Sequence, residues 1–266
     1  MTGYQNISIK MYLRCRSKSN QFYRYMSRYV STDIKIANSL INGSNAVDIT
    51  NNTSLTWYSC GPTVYDVAHL GHARNYICTD IIRRILSDIF NLNVTFAMGV
   101  TDIDDKIIKK ASLLNLEGWE GCKKIVRPIE KEFFSDMDEL NIKRPDFTLR
   151  VSEHLDEIIA YITRIIELDK AYITSDGVYF DLSKCGDTYG KLGIKLSEES
   201  TEEDPVDSSH NNFKRDKRDF ALWKLTGNHP KEPAWDSPWG RGRPGWHIEC
   251  SAMTHSLFGK HVSSYQ

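Results

Sequence analysis

Residues 60–72 read CGPTVYDVAHLGH, a stretch that holds a thiol and two imidazoles. His69 and His72 flank Gly71 in a His-x-Gly-His spacing. Ahead of them, residues 55–60 (LTWYSC) form a short run of β-formers stopped by Gly61-Pro62, which predicts a strand. Behind them, Ala73 to Phe90 carries Ile77, Ile81, Ile85 and Ile89 every four residues, and Ile82, Leu86 and Phe90 widen the stripe. That period predicts an amphipathic helix with the isoleucines on its apolar face. A histidine pair at such a helix start suits a triphosphate. Free N–H groups and the positive end of the helix dipole meet the anion. The imidazoles can donate to phosphate oxygens as charge shifts during displacement. Gly71 removes a side chain where the backbone must approach ATP. The bland alternative is two core or surface histidines; the strand before and the helix after favour the nucleotide.

A second thiol, Cys250, lies in WHIECSAM, residues 246–253, beside His247 and Glu249. A thiolate is the natural ligand for zinc. Cys60 and Cys250 are too distant in sequence for spacing to pair them, and a lone buried cysteine is more often a small hydrophobe.

The elements that would position these groups follow from pattern. Residues 94–100 (VTFAMGV) read as a second strand, so strand, helix and strand form a βαβ unit with a right-handed crossover. Ligands of an open parallel sheet sit at the carboxyl ends of its strands, near helix N-termini. Cys60 ends one strand, Thr101 follows the other, and His69 and His72 precede the helix, so these four should share one crevice. In TDIDDKIIKKA, residues 101–111, the acids Asp102, Asp104 and Asp105 read as capping and dipole matching at a helix start rather than as catalysts. Ile129–Leu140 and Val151–Leu168 are expected helices, the second with Val151, Leu155, Ile158, Ile162 and Ile165 on one packing face. Val178–Leu182 is an expected strand; residues 196–219 read as a polar surface loop; Asp219–Lys224 (DFALWK) could be strand or short helix. Residues 235–245 (WDSPWGRGRPG) form a turn-rich loop whose glycines are a weak phosphate signal.

Composition narrows the class. The 266 residues carry 34 Lys+Arg against 35 Asp+Glu, so any nucleic-acid contact must be local rather than a global basic footprint. Mean hydropathy is −0.45, and no apolar run is long enough to span a membrane. The six cysteines are scattered with no CxxC pair, which reads as reduced thiols in an intracellular protein. Residues 1–32 hold Lys10, Arg14, Arg16, Lys18, Arg24 and Arg28 but no acid. They resemble an organelle transit peptide; the alternatives are a disordered basic arm or a mis-assigned start codon.

The blocks WYSCGPTVYDVAHLGHARNYICTDIIRR, GVTDIDDKIIKKA, and DFALWK with PAWDSPWGRGRPGWHIECSAMTHSLFG together resemble cysteinyl-tRNA synthetase, a class I aminoacyl-tRNA synthetase, from about Ile36 to Phe258. The resemblance implies an α/β fold, the class I Rossmann-like HUP parallel sheet split by a connective-peptide insertion. The division it implies is a leader at 1–32, a first Rossmann half at 33–120, the insertion at 121–218 with its polar loop, and the start of the second half at 219–266. The implied reaction is ATP-dependent activation of L-cysteine to cysteinyl-adenylate, then transfer to tRNA(Cys). One Zn2+ ion would bind the substrate thiolate, and Mg2+ would accompany ATP. Cys60 and Cys250 match two zinc ligands of the family. His69 and His72 match its ATP signature, here spelled HLGH, and are the implied catalytic pair. Gly61, Thr63, Thr101 and Trp246 match positions of the amino-acid pocket. A metal is a physical route to telling cysteine from serine, because a hydrophobic pocket separates near-isosteres by only about 1–3 kcal/mol. The resemblance places the other two zinc ligands and a KMSKS loop beyond Gln266, so the expectation is a truncated piece with weak or no aminoacylation alone. A cysteine ligase for a small amine, and a non-catalytic fragment that binds a partner or tRNA, are the alternatives. The expected compartment is the cytoplasm, with an organelle as the alternative and no membrane contact.

Overall fold

The structure is a computed structural model that describes residues 35–36, 47–48, 54–188, 213–227, 231–260 and 262–265. The leader at 1–32 and most of the loop at 196–219 lie outside the described residues. Among the described residues the chain runs β1 (Lys35–Ile36), β2 (Val47–Asp48), β3 (Ser54–Thr63), α1 (Leu70–Arg84), β4 (Asn93–Thr101), α2 (Asp105–Leu113), α3 (Gly118–Glu139), β5 (Phe147–Arg150), α4 (Leu155–Glu167), β6 (Ala171–Ile173), β7 (Gly177–Phe180), β8 (Phe220–Leu225), β9 (Gly242–Pro244), α5 (Trp246–Phe258) and β10 (Ser264–Tyr265).

Two sheets carry the described residues that matter here. One is wholly parallel with order β10-β3-β4-β5. The other is antiparallel with order β6-β7-β8-β9. The expected β3-α1-β4 unit is present, and its strands are longer than the apolar runs that announced them. Both faces of the parallel sheet are covered, as parallel strands require. Trp57, Phe96 and Met98 pack on one face against Tyr76 and Leu86, Ile107, and the α3 residues Ile125, Val126 and Phe133. Tyr58, Ala97 and Leu149 point to the opposite face, where they meet Ile158 and Ile162 of α4, Met253 of α5, and Leu222 and Trp223 of β8. Alternation along β3 and β4 therefore feeds two cores at once.

The isoleucine stripe does not face the sheet. Ile81, Ile82, Ile85 and Ile89 are exposed, while Tyr76, Thr79, Asp80, Arg83 and Leu86 are buried. Charged residues can occupy an inner face when every donor finds a partner. Arg83 donates to the carbonyls of Lys143 and Arg144 and to Asp146, and its guanidinium lies 5.0 Å from the centre of the Phe96 ring. Asp80 accepts from Arg84 and from the backbone N–H of Lys143. A π-helical turn over Ile85–Ile89 then extends α1.

Sheet membership also departs from the expected division. β5 lies within the stretch 121–218 assigned to the insertion, yet it pairs in parallel with β4. β8 and β9 lie within 219–266 assigned to the second Rossmann half, yet they extend the antiparallel sheet from β7. Residues 220–225 are strand, and the glycines near 242 serve close strand contact rather than phosphate. A Cβ on Gly242 would stand 2.2 Å from the Lys224 carbonyl oxygen, and one on Gly245 1.9 Å from that of Ala221.

One ion cluster ties the two sheets together. Asp105, the first residue of α2, accepts from Lys224 of β8 at 2.9 Å and from Arg243 of β9. Burial would raise its carboxyl, but Arg243 and Lys224 outweigh it and hold the group at about 2. Replacing Asp105 with Asn should lower the unfolding free energy by roughly 2–4 kcal/mol, since buried Arg243 and half-buried Lys224 lose their partner. The depressed carboxyl means its stabilisation is complete above the ordinary range near 3.8 and is lost as pH falls toward 2. Urea unfolding at pH 7 and pH 3 would check both statements: the wild-type-to-variant gap should shrink in acid.

Candidate functional site

The site is built where β3 and β4 end. Cys60 sits opposite Gly99 and Thr63 opposite Thr101, with a register shift between Cys60 and Thr63. The strands approach so closely at the shift that a Cβ on Gly61 would stand 2.1 Å from the Gly99 carbonyl oxygen. Gly61 is thus required by strand contact, whatever it does for a ligand. Val64 then donates its N–H to the Thr101 carbonyl at 3.1 Å, which closes the shift.

Cys250 is the fifth residue of α5, and its Sγ lies 3.5 Å from Cys60 Sγ. Two residues 190 positions apart meet because β3 and α5 pack across the second core. Cys60 is exposed and Cys250 half-buried, so the sulfurs are open to solvent on one side. Two thiolates at about 2.3 Å from a tetrahedral zinc would sit about 3.8 Å apart, close to the separation present. The pair fits half of such a site; among the described residues no cluster of three or more His, Cys, Asp or Glu could hold a metal. Trp246 lies one helical turn before Cys250, more than half exposed at 56%, with its ring tilted against His247.

The histidines act first on the helix. His69 is the N-cap of α1, and its Nδ1 accepts from the N–H groups of Gly71 at 3.1 Å and His72 at 3.4 Å. His72 returns the favour, its Nδ1 accepting from the His69 N–H at 3.3 Å. This is a capping box written with imidazoles in place of Ser and Glu. It has a chemical consequence. A neutral ring whose Nδ1 accepts must carry its proton on Nε2, so both rings present Nε2–H donors. The rings stack at 3.9 Å. Burial, with a smaller contribution from His69, holds the His72 imidazole below its ordinary 6.5 and so favours the neutral form. Gly71 has a local reason as well: a Cβ there would stand 2.8 Å from the His69 ring. Leu70 is 84% exposed and touches nothing in the cap.

The three helix-start acids have three fates. Asp104 alone caps, accepting from the Lys106 N–H at 2.7 Å. Asp105 joins the two sheets. Asp102 is fully buried and accepts from both the N–H and the hydroxyl of Ser152. Burial raises its carboxyl against those bonds and against Arg127. A fourth acid, Glu249, is named in the sequence only as a neighbour of Cys250, with no role given to it. It is 1% exposed and bonded to Thr101, and among the described residues its Oε2 has no hydrogen-bond partner. Burial first, then the proximity of Cys250, Asp104 and Asp102, pushes its carboxyl well above 4.5. No local signal announces this, because a single Glu in an apolar helix looks like any solvent-facing one. Sequence patterning missed Tyr76; its ring lies 6.5 Å from that of His72, and burial raises its hydroxyl, with Cys60 adding to the effect.

The structure therefore brings Cys60, Gly61, Thr63 and Thr101 to one pair of strand ends, adds Cys250 through α5, and sets His69, Gly71 and His72 at the start of the helix that leaves β3.

Comparisons with known proteins point to one family. A family model described as the tRNA synthetases class I (C) catalytic domain matches residues 46–265. The chain is 47% identical over 232 residues to a probable mitochondrial cysteine--tRNA ligase of Xenopus tropicalis, covering 87% of this chain and 38% of that protein. It is 44% identical over 243 residues to the cytoplasmic cysteine--tRNA ligase of Dictyostelium discoideum, covering 87% and 36%. It is also 44% identical over 230 residues to the cysteine--tRNA ligase of Pyrococcus abyssi, covering 85% and 46%. The chain thus spans less than half the length of these relatives. Among solved structures, methionyl-tRNA synthetase of Mycobacterium tuberculosis, in complex with methionyl-adenylate, superposes with a TM-score of 0.52 at 15% identity, over 78% of this chain and 47% of that one. That likeness supports the fold alone.

Replacing His69 with Ala should destabilise the protein by about 1 kcal/mol through the lost cap, and Asn, a good cap, should restore most of it. Replacing Gly71 with Ala should cost at least as much, because it displaces the same ring. Denaturant midpoints of the three variants would check the order; a Gly71→Ala protein as stable as the wild type would rule out the ring contact.

Proposed function

The chain belongs to the family of class I tRNA synthetase catalytic domains of the cysteine type, and from that premise we propose that it activates L-cysteine with ATP, as part of a protein that charges tRNA(Cys). The observation that carries this reading is the 3.5 Å meeting of Cys60 and Cys250 at the end of the strand that leads into the His69–His72 cap. It supports reading the cysteine pair as a thiol-selective centre and the helix start that follows β3 as an anion site.

The roles assigned here rest on the following physical arguments. The α1 N-terminus offers positive potential to the triphosphate, with Mg2+ sharing its charge. The Nε2–H groups of His69 and His72 donate to phosphate oxygens, more strongly as negative charge grows on the departing pyrophosphate. The rings are already held by their own cap, so little reorganisation is needed at that moment. Cys60 and Cys250 would supply two of the four ligands of one Zn2+ ion, and bound zinc would supply a soft partner for the substrate thiolate. A thiol ionises readily at a metal, whereas a hydroxyl does so poorly at neutral pH, which separates cysteine from serine. By their match to the family's pattern, Gly61, Thr63, Thr101 and Trp246 are assigned to the amino-acid pocket. The charged product passes to tRNA(Cys) outside the described geometry. A cysteine ligase acting on a small amine would share the activation step; the printed names of the relatives favour tRNA. Among the described residues no helix is long and apolar enough to cross a membrane. We place the protein in the cytoplasm, with an organelle as the alternative suggested by the basic leader.

Calorimetry on the zinc-loaded chain is the direct check. Cysteine should bind and serine should not, and Cys60→Ser should abolish cysteine binding together with zinc. His69→Asn, which keeps the cap but lacks the ring N–H, should weaken ATP binding about tenfold, the worth of one charge-assisted hydrogen bond. Equal affinity for cysteine and serine would overturn the assignment.

A further inference from the structure

The same two sulfurs allow a second chemistry. Cys60 and Cys250 face each other at 3.5 Å without a covalent link. A disulfide needs about 2.05 Å between sulfurs, so closure asks for roughly 1.5 Å of side-chain movement. The backbone on one side is irregular at this point, since the β3–β4 register shifts immediately after Cys60. The pair is also accessible, with Cys60 exposed and Cys250 half-buried. Other thiols are placed differently: Cys122 is buried on α3 and pushed up to about 11 by that burial, and Cys78 is exposed on the outer side of α1.

We propose that Cys60 and Cys250 form a peroxide-responsive pair that closes into a disulfide when no metal occupies it. Cys60, the more exposed sulfur, attacks one oxygen of hydrogen peroxide as its thiolate. The O–O bond breaks, hydroxide leaves and takes up a proton as water, and Cys60 becomes a sulfenic acid. The thiolate of Cys250 then attacks the Cys60 sulfur. The S–O bond breaks, the oxygen leaves as a second water after protonation, and the S–S bond forms. In sum two thiols are oxidised by two electrons and one peroxide is reduced to two waters. The closed form has no thiolate left for a metal. Peroxide thus removes the centre that selects cysteine, and a dithiol reductant restores it. This chemistry needs only the proximity of the sulfurs; the protecting role of zinc rests on the function proposed above.

The experiment uses the whole chain, stripped of metal with a chelator and then exposed to a small excess of hydrogen peroxide. Intact mass should fall by two hydrogens. Proteolysis without reductant should release one linked peptide pair carrying Cys60 and Cys250. The 190-residue loop thereby closed should make the oxidised chain run faster on a non-reducing gel. Cys60→Ser and Cys250→Ser should each abolish the link, and Cys78→Ser should leave it intact. Loading with zinc first should slow closure at least about tenfold, because a coordinated thiolate is a poorer nucleophile. Addition of oxygen atoms to Cys60 with no linked peptide, or a link that joins other cysteines, would overturn the proposal. Closure at the same rate with and without zinc would leave the disulfide standing and overturn the zinc reading instead.

Discussion

Ten residues of β3 lie parallel to nine of β4, and the candidate site is arranged by how that pair ends. The ladder runs in register from Ser54 opposite Asn93 to Cys60 opposite Gly99, then slips before Thr63 meets Thr101. The slip turns the chain out of the sheet at the point where α1 must begin. It leaves Cys60 at the rim and lets a main-chain carbonyl approach Gly61 more closely than any side chain would permit. Had the ladder continued regularly, the alternation of a strand would have governed where the residues after Cys60 point. A thiol at the rim and a helix start just beyond it are thus products of one irregularity in one ladder.

The second sheet serves this arrangement at a distance. β8 packs Leu222 and Trp223 under the parallel sheet, and β9 hands the chain directly to α5. The cluster of Asp105, Lys224 and Arg243 holds β8 and β9 against the start of α2. Since α2 itself follows β4, the cluster ties the strand that carries Thr101 to the helix that carries Cys250. Coulomb attraction between poorly hydrated groups is strong, and it fixes the orientation of the two sheets more narrowly than apolar contact would.

Some of this was legible in the amino acids and some was not. Strands β3 and β4 and the helix start at the histidines followed from local periodicity. The inner face of α1 did not. Counting isoleucines assumes that apolar side chains are always the ones buried, whereas Arg83 and Asp80 find partners on the segment at 141–146 that no local pattern can foresee. The same limit explains β5 and β8. A strand's partners are chosen by backbone pairing over long sequence distance, so a division drawn along the chain cannot follow the sheets. Asp102, Asp105 and Glu249 show the limit at the level of single residues: three acids of one chemistry became a buried acceptor, an ionic tie and an acid that favours its proton, through surroundings contributed by other elements.

The imidazole cap bears on how the HLGH tetrapeptide can vary. Its first and fourth letters hold each other's backbone N–H groups, and its third must be devoid of a side chain so that a ring can lie over it. The second letter belongs to Leu70, whose side chain reaches into open solvent. Four adjacent positions therefore carry very unequal information. Three are locked to one another by a few ångströms of geometry, and one is restrained by little in the cap beyond helix propensity.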